Sequence, residues 1–148
     1  MAMAVLIDTN VLLRGLQPGN PGISVATRAI DALRLHGESM SIAVQNLIEF
    51  WAVATRPVID NGLGLSAELA AKETSRFKEL FEILPESPQI LPEWERLVST
   101  YRVSGKNAHD ARLVAAMNVN GIEKILTFNV RDFARFENIQ VLHPESVR

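Results

Sequence analysis

The chain has 148 residues, a length at which one compact core buries roughly two-thirds of the surface exposed on unfolding. Its 47% hydrophobic and 22% charged residues lie near the average for soluble globular proteins, which excludes a disordered class, and no stretch approaches the roughly 20 apolar residues of a membrane span. The absence of cysteine excludes disulfides, thiolate zinc sites and cysteine nucleophiles, and a net charge of −2 singles out no partner, because nucleic-acid binding depends on where Lys and Arg cluster.

A single domain over residues 1–148 is expected, with no internal repeat or low-complexity tract. The start, MAMAVLI, lacks a basic flank and meets Asp8 before a signal-peptide core is complete, so a cytoplasmic location without membrane contact is expected. Met3 to Ile7 reads as a short strand ending at Asp8, followed by a helix from Asn10 to Leu16 that "QPGNPG" stops with two turn signals. A second helix runs from about Val25 to His36, with Ala26, Ala29, Ile30 and Leu33 at helical spacing and Gly37 placed as its C-terminal cap.

"ESMSIA" predicts a second strand and "VQNLIEFWAVATRP" a helix, with Val44, Leu47, Ile48 and Trp51 on one face and Pro57 beyond its end. After the loop "VIDNGLGL", Ser66 is placed to cap a helix reaching about Leu84, with Leu69, Phe77, Leu80 and Phe81 as its apolar stripe. Pro85, Pro88 and Pro92 punctuate the link to a helix ending near Val103. The last third alternates cleanly: "SGKNAHDARLVAAMNVNG" gives a turn, a helix and a terminal Gly121, "EKILTF" a strand, "NVRDFARF" a turn with a short helix, and "IQVL" a final strand before Pro144. Strands separated by helices imply a mainly parallel central sheet covered on both faces, because parallel neighbours need crossover connections.

In such a sheet, ligands bind beyond the C-terminal ends of the strands, where the strand order reverses. Asp8 directly follows the first strand, a position that also suits a helix N-cap. Asp110 shares a helical face with Leu113, Val114 and Met117, which turns an ionised carboxylate inward, where it is costly unless paired or metal-bound. Proximity to the helix N-terminus is the competing explanation. Glu49 lies about 100° round from Ile48, on the flank of its helix's apolar stripe, and periodicity alone accepts it as solvated. Asn129 and Asp132 follow the third strand in "TFNVRDF", where a turn or cap role competes with chemistry.

Together, these acids come from separate elements, and a cluster of carboxylates stays ionised at close range only with cations between them. Hard oxygen ligands without cysteine select Mg²⁺, with Mn²⁺ as a substitute. That donor set suits phosphoryl chemistry, in which a metal makes hydroxide available near neutral pH and offsets charge on the phosphate.

"LIDTNVLL", "NLIEFWAVATRP", "HDARLVAAM" and "ILTFNVRDFARF", in that order, resemble the motifs of the PIN-domain family, particularly VapC-like toxin ribonucleases of toxin–antitoxin pairs, over essentially the whole chain. The resemblance implies a three-layer α/β/α fold, Mg²⁺- or Mn²⁺-dependent endoribonuclease activity, homodimerisation, and a cognate antitoxin whose tail enters the active-site groove. It matches Asp8, Glu49 and Asp110 to the family's first three acids, with Thr9 and Asn10 orienting Asp8 and Thr127 as hydroxyl partner. At the fourth acidic position this chain has Asn129, with Asp132 three residues later. Asn129 can coordinate through its carbonyl but adds no charge, which bears on whether one metal binds or two.

The scattered His36, His109 and His143 form no zinc-binding pair, and Trp51 and Trp94 read as core or interface. Arg14, Arg56, Lys106, Arg112 and Arg131 lie close in sequence to the motifs, where phosphate contact competes with simple solvation. Setting aside Asp8, Glu49, Asp110 and Asp132 leaves 15 basic against 13 acidic residues. The expected function is therefore metal-dependent cleavage of RNA, single-stranded or structured, with Asp8, Asp110 and Glu49 as metal ligands and Asn129 and Asp132 as the outer wall. Two alternatives stand beside it: a catalytically weak PIN-like module that binds RNA or antitoxin, and a haloacid-dehalogenase-type phosphatase suggested by "DTN", in which Asn10 replaces the second Asp.

Overall fold

The computed structural model describes residues 4–15 and 22–148. β1 (Ala4–Ile7) leads to α1 (Thr9–Arg14), α2 (Gly22–Leu35), β2 (Ser39–Ile42), α3 (Val44–Thr55), α4 (Ala67–Leu80), β3 (Glu82–Ile83), α5 (Ile90–Thr100), α6 (Asn107–Val119), β4 (Lys124–Leu126), α7 (Val130–Phe133) and β5 (Gln140–Leu142). The turn expected over "QPGNPG" lies outside the described residues, except for Gly22, which opens α2.

The five strands form one sheet in the order β3-β2-β1-β4-β5, every neighbouring pair parallel. The chain builds outward from β1 to β2 and β3, then crosses back to add β4 and β5 on the other side of β1. The reversal therefore falls between β1 and β4, where ligand sites form in such sheets. Asp8 N–H donates to Leu126 O at 3.0 Å, which joins the two strand ends.

Side chains alternate across the sheet. Val5, Ile7, Met40, Ile42 and Leu126 face a core layer with α1 to α4, whereas Leu6 and Ile125 face a second layer containing α5, α6 and α7. The result is a three-layer α/β/α sandwich. α2 and α6 end alike: Gly37 (φ +76) and Gly121 (φ +72) adopt the left-handed conformation that glycine tolerates best, and the next residue's N–H reaches back to Leu33 O and Met117 O respectively.

Three expectations need correction. α3 turns a different face inward from the one its apolar spacing suggested: Ile48 and Trp51 are 64% and 38% exposed, while Gln45, Asn46, Phe50 and Ala54 are buried. Buried amides outcompete apolar residues there because each one is hydrogen-bonded. α4 stops at Leu80 rather than near Leu84, and "EI" beyond it becomes the edge strand β3 on β2, where Leu84 N–H reaches Ile42 O at 2.9 Å. In the α4 stripe, Phe77 and Phe81 are buried but Leu69 and Leu80 are exposed. α6 is buried on almost every side, Ala111, Leu113, Val114, Ala115, Ala116 and Met117 included, so the inward face assigned to Asp110 is less distinctive than its spacing implied.

Candidate active site

Asp8 caps α1 at the mouth of the switch point and is 7% exposed. Its Oδ1 accepts from Thr9 N–H at 2.8 Å, and its Oδ2 accepts from the Thr127 hydroxyl at 2.7 Å and from Asn10 Nδ2 at 3.3 Å. The cap role and a central position in the acid group thus coexist. Thr127, just past β4, is fully buried, and its oxygen also accepts from Asn10 Nδ2 and Asn129 N–H. Asn10 closes the bracket through Oδ1, which accepts from Phe128 N–H at 3.1 Å.

Glu49 reaches the same region from α3. Its Oε2 accepts from the Thr9 hydroxyl at 3.2 Å, and its Oε1 accepts from Gln45 Nε2 at 2.7 Å. Thr9 therefore serves two acids, holding Asp8 with its backbone and Glu49 with its side chain. Asn46, completely buried, donates to the Thr9 hydroxyl and accepts from Ala43 N–H. Gln45 also donates to His109 O at 2.8 Å, which ties α3 to the first turn of α6 next to Asp110. Asp110 is half-buried and accepts from Asn107 Nδ2 at 3.0 Å.

The electrostatics register how close these groups are. Burial pushes the Asp8 carboxyl up to about 6; the Thr127 and Thr9 hydrogen bonds oppose this, and the Glu49 and Asp110 charges add to it. Asp110 is also raised, chiefly by burial, with Asn107 opposing and the charges of Asp132 and Glu49 adding. The charge of Asp132 thus acts on Asp110. Asn129 enters differently: its residue is exposed, and its backbone N–H holds Thr127. Among the described residues no three His, Asp or Glu side chains converge closely enough to enclose one ion as they stand.

Of the cations near the motifs, Arg14 lies over the Phe128 ring at 4.4 Å, and Arg112 pairs with Glu86 and donates to Gln45 Oε1 at 3.3 Å. The residues that sequence reasoning missed are Gln45, Asn46 and Asn107. Gln45 and Asn107 stand four and three positions before the acids they hold, a spacing that places side chains side by side on a helix. Asn46 carried no such signal, because its partners come from the β2–α3 junction and from α1.

A family model for the PIN domain matches residues 5–139. No curated protein matches the chain. Among solved structures, VapBC2 of Rickettsia felis bound to a fragment of its promoter DNA superposes with a TM-score of 0.73 at 14% identity, over 95% of this chain and 98% of that one. A toxin–antitoxin complex from Klebsiella pneumoniae gives 0.65 at 22% identity, over 95% and 97%. VapC20 of Mycobacterium tuberculosis, described as a sarcin–ricin loop cleaving toxin, gives 0.58 at 17%, over 82% and 86%. With the family model spanning β1 to β4 and ending just before β5, and the fold shared with chains of such complexes, this chain belongs to the PIN-domain family.

Proposed function

We propose that the chain is a metal-dependent endoribonuclease that cleaves single-stranded RNA as the toxin of a toxin–antitoxin pair. The observation that carries this reading is the arrival of Asp8, Glu49 and Asp110 from separate elements at the switch point, tied together through Thr9, Gln45 and Thr127, with burial raising Asp8 and Asp110 and the neighbouring acids adding to it. Such a group is unfavourable alone and becomes favourable around a cation. The donor set fits Mg²⁺, with Mn²⁺ as a substitute, because it offers hard oxygens and no thiolate. Asp8, Asp110 and Glu49 would hold the ion, which when bound supplies an activated water and offsets charge on the phosphate.

The chain's own contribution is positional. Thr9, Asn10 and Thr127 fix both oxygens of Asp8, and Thr9 with Gln45 fixes both oxygens of Glu49. Asp132 completes the wall as the fourth acid, with Asn129 supporting Thr127. The antitoxin reading draws on the structural likeness to chains of VapBC and other toxin–antitoxin complexes. Homodimerisation draws on Ile48, Trp51, Val58, Ile59 and Leu69, exposed on α3, the following turn and α4. The phosphatase alternative needs an acid where Asn10 stands, and Asn10 is committed to bracing Asp8, Thr127 and Phe128.

The test is cleavage of labelled single-stranded RNA with Mg²⁺, Mn²⁺ or EDTA, beside Asp8→Asn and Asp110→Asn. Metal-dependent cutting that leaves 5′-phosphate and 3′-hydroxyl ends, and is lost in both variants, is expected. RNA binding without cutting, in protein freed of antitoxin, would reject the nuclease for the binding module, a reading favoured by the uncharged, exposed Asn129.

A further inference from the structure

A cavity of about 420 Å³ opens between the start of α5 and the first turns of α6, with walls from Glu86, Ile90, Leu91, Trp94, His109 and Arg112. The fold does not need it open: Trp94 and Ile90 already pack against the core beneath. His109 and Arg112 flank Asp110 on α6, so this wall lies within one helical turn, about 5.4 Å of rise, of an acid of the candidate site. The cavity is also hydrogen-bonded into that site, because Arg112 donates to Gln45 Oε1 while the Gln45 amide donates to Glu49 and to His109 O.

We propose that this cavity is a nucleobase pocket, seating one base of the strand next to the phosphate being cut; this rests on the nuclease reading above. Its floor and walls are mostly hydrophobic, with Ile90, Leu91 and the Trp94 indole, whose N–H is already engaged by Ala108 O at 2.9 Å and leaves the ring for stacking. Its rim is polar, with Arg112, Glu86 and the exposed His109. A base matches this division, apolar on its faces and hydrogen-bonding at its edges. An aliphatic side chain of a protein partner would cover the floor but desolvate the rim groups without pairing them. The Arg112–Glu86 pair is about two-fifths exposed on both sides, 39% and 43%, so it is weakly held and Arg112 is free to exchange Glu86 for a phosphate.

The chain has two tryptophans, so Trp51→Phe leaves Trp94 as the sole indole reporter. In EDTA, this variant is titrated with short oligouridylate, oligocytidylate and oligoadenylate, with anisotropy of end-labelled strands recorded in parallel. Saturable quenching of Trp94 that differs among the three strands is expected, and Leu91→Glu, at a 62% exposed position, should weaken it about tenfold, equivalent to roughly 1.4 kcal/mol. With Mg²⁺ present, Leu91→Glu should raise KM more than it lowers kcat. Strands that bind by anisotropy while Trp94 stays silent, or that bind equally well to Leu91→Glu, overturn the pocket even if cleavage proceeds. Quenching by an apolar peptide but not by any strand also overturns it, in favour of a protein partner. Quenching by RNA without cleavage upholds the pocket while the nuclease reading fails.

Discussion

At the scale of single residues, Asp8 shows the conflict that a binding site builds into a fold. Its folded-state pKa, about 6 against 3.8, means that the folded protein binds this proton more tightly than the unfolded chain does. The resulting stability is fully present below about pH 3.8 and is lost as the pH rises through about 6. In metal-free buffer Asp8→Asn, which keeps a good N-cap, should be more stable than wild type by ~1–3 kcal/mol at neutral pH. Denaturant melts across pH should show that gain shrinking to nothing near pH 4. A gain independent of pH would mean that the Asp8 charge is not the source. Gln45 works at the same scale: Gln45→Leu frees Glu49 Oε1 and removes the tie between α3 and His109 O. It should cost ~1–3 kcal/mol of stability and lower kcat about tenfold or more with KM changed less. Steady-state kinetics on one RNA substrate, beside thermal melts, separate these effects, and an unchanged kcat would reduce Gln45 to packing.

At the scale of elements, α3 decides whether Glu49 faces the site or solvent. Apolar spacing favoured Val44, Leu47, Ile48 and Trp51 as the inward stripe, and the helix instead buries Gln45, Asn46, Phe50 and Ala54. Asn46 is central to that choice, since its Oδ1 holds Ala43 N–H at the helix entry and its Nδ2 holds Thr9. Asn46→Ala orphans a buried N–H and opens a small void, so a loss of about 2–4 kcal/mol in equilibrium unfolding is expected. A change below about 1 kcal/mol would show that α3 is oriented by Phe50 and Ala54 alone. Most other elements were legible in the sequence because their punctuation is strong: Gly37 and Gly121 close α2 and α6, and Ser66 caps α4 through Leu69 N–H. β3 was not legible, because two residues with one neighbour carry no periodicity.

At the scale of the whole molecule, the site exists because β1 and β4 are neighbours. That adjacency brings Asp8 beside Thr127 from 119 positions away, and the crossover helices α3 and α6 deliver Glu49 and Asp110 to the same end of the sheet. The proposed homodimer would use the exposed apolar residues on the outer side of α3 and the turn beyond it. Ile48→Glu with Ile59→Glu, at positions 64% and 92% exposed, should convert a dimer to a monomer in light scattering. The circular-dichroism spectrum should stay unchanged, because neither side chain supports the core. A wild type already monomeric at high concentration would remove the dimer from the reading.

The sequence by itself determined the alternation of strands and helices, the parallel sheet, and the position of Asp8 at a strand end, because turn residues, caps and short apolar runs act locally on the backbone. It also carried the ordered motifs that place the chain in its family. Tertiary structure alone decided that α3 turns Glu49 inward, that Thr9 braces two acids at once, and that Asp132 comes close enough for its charge to act on Asp110. Those outcomes depend on hydrogen bonds and fields between side chains far apart in the chain, and no local pattern encodes which distant partner a polar side chain will meet.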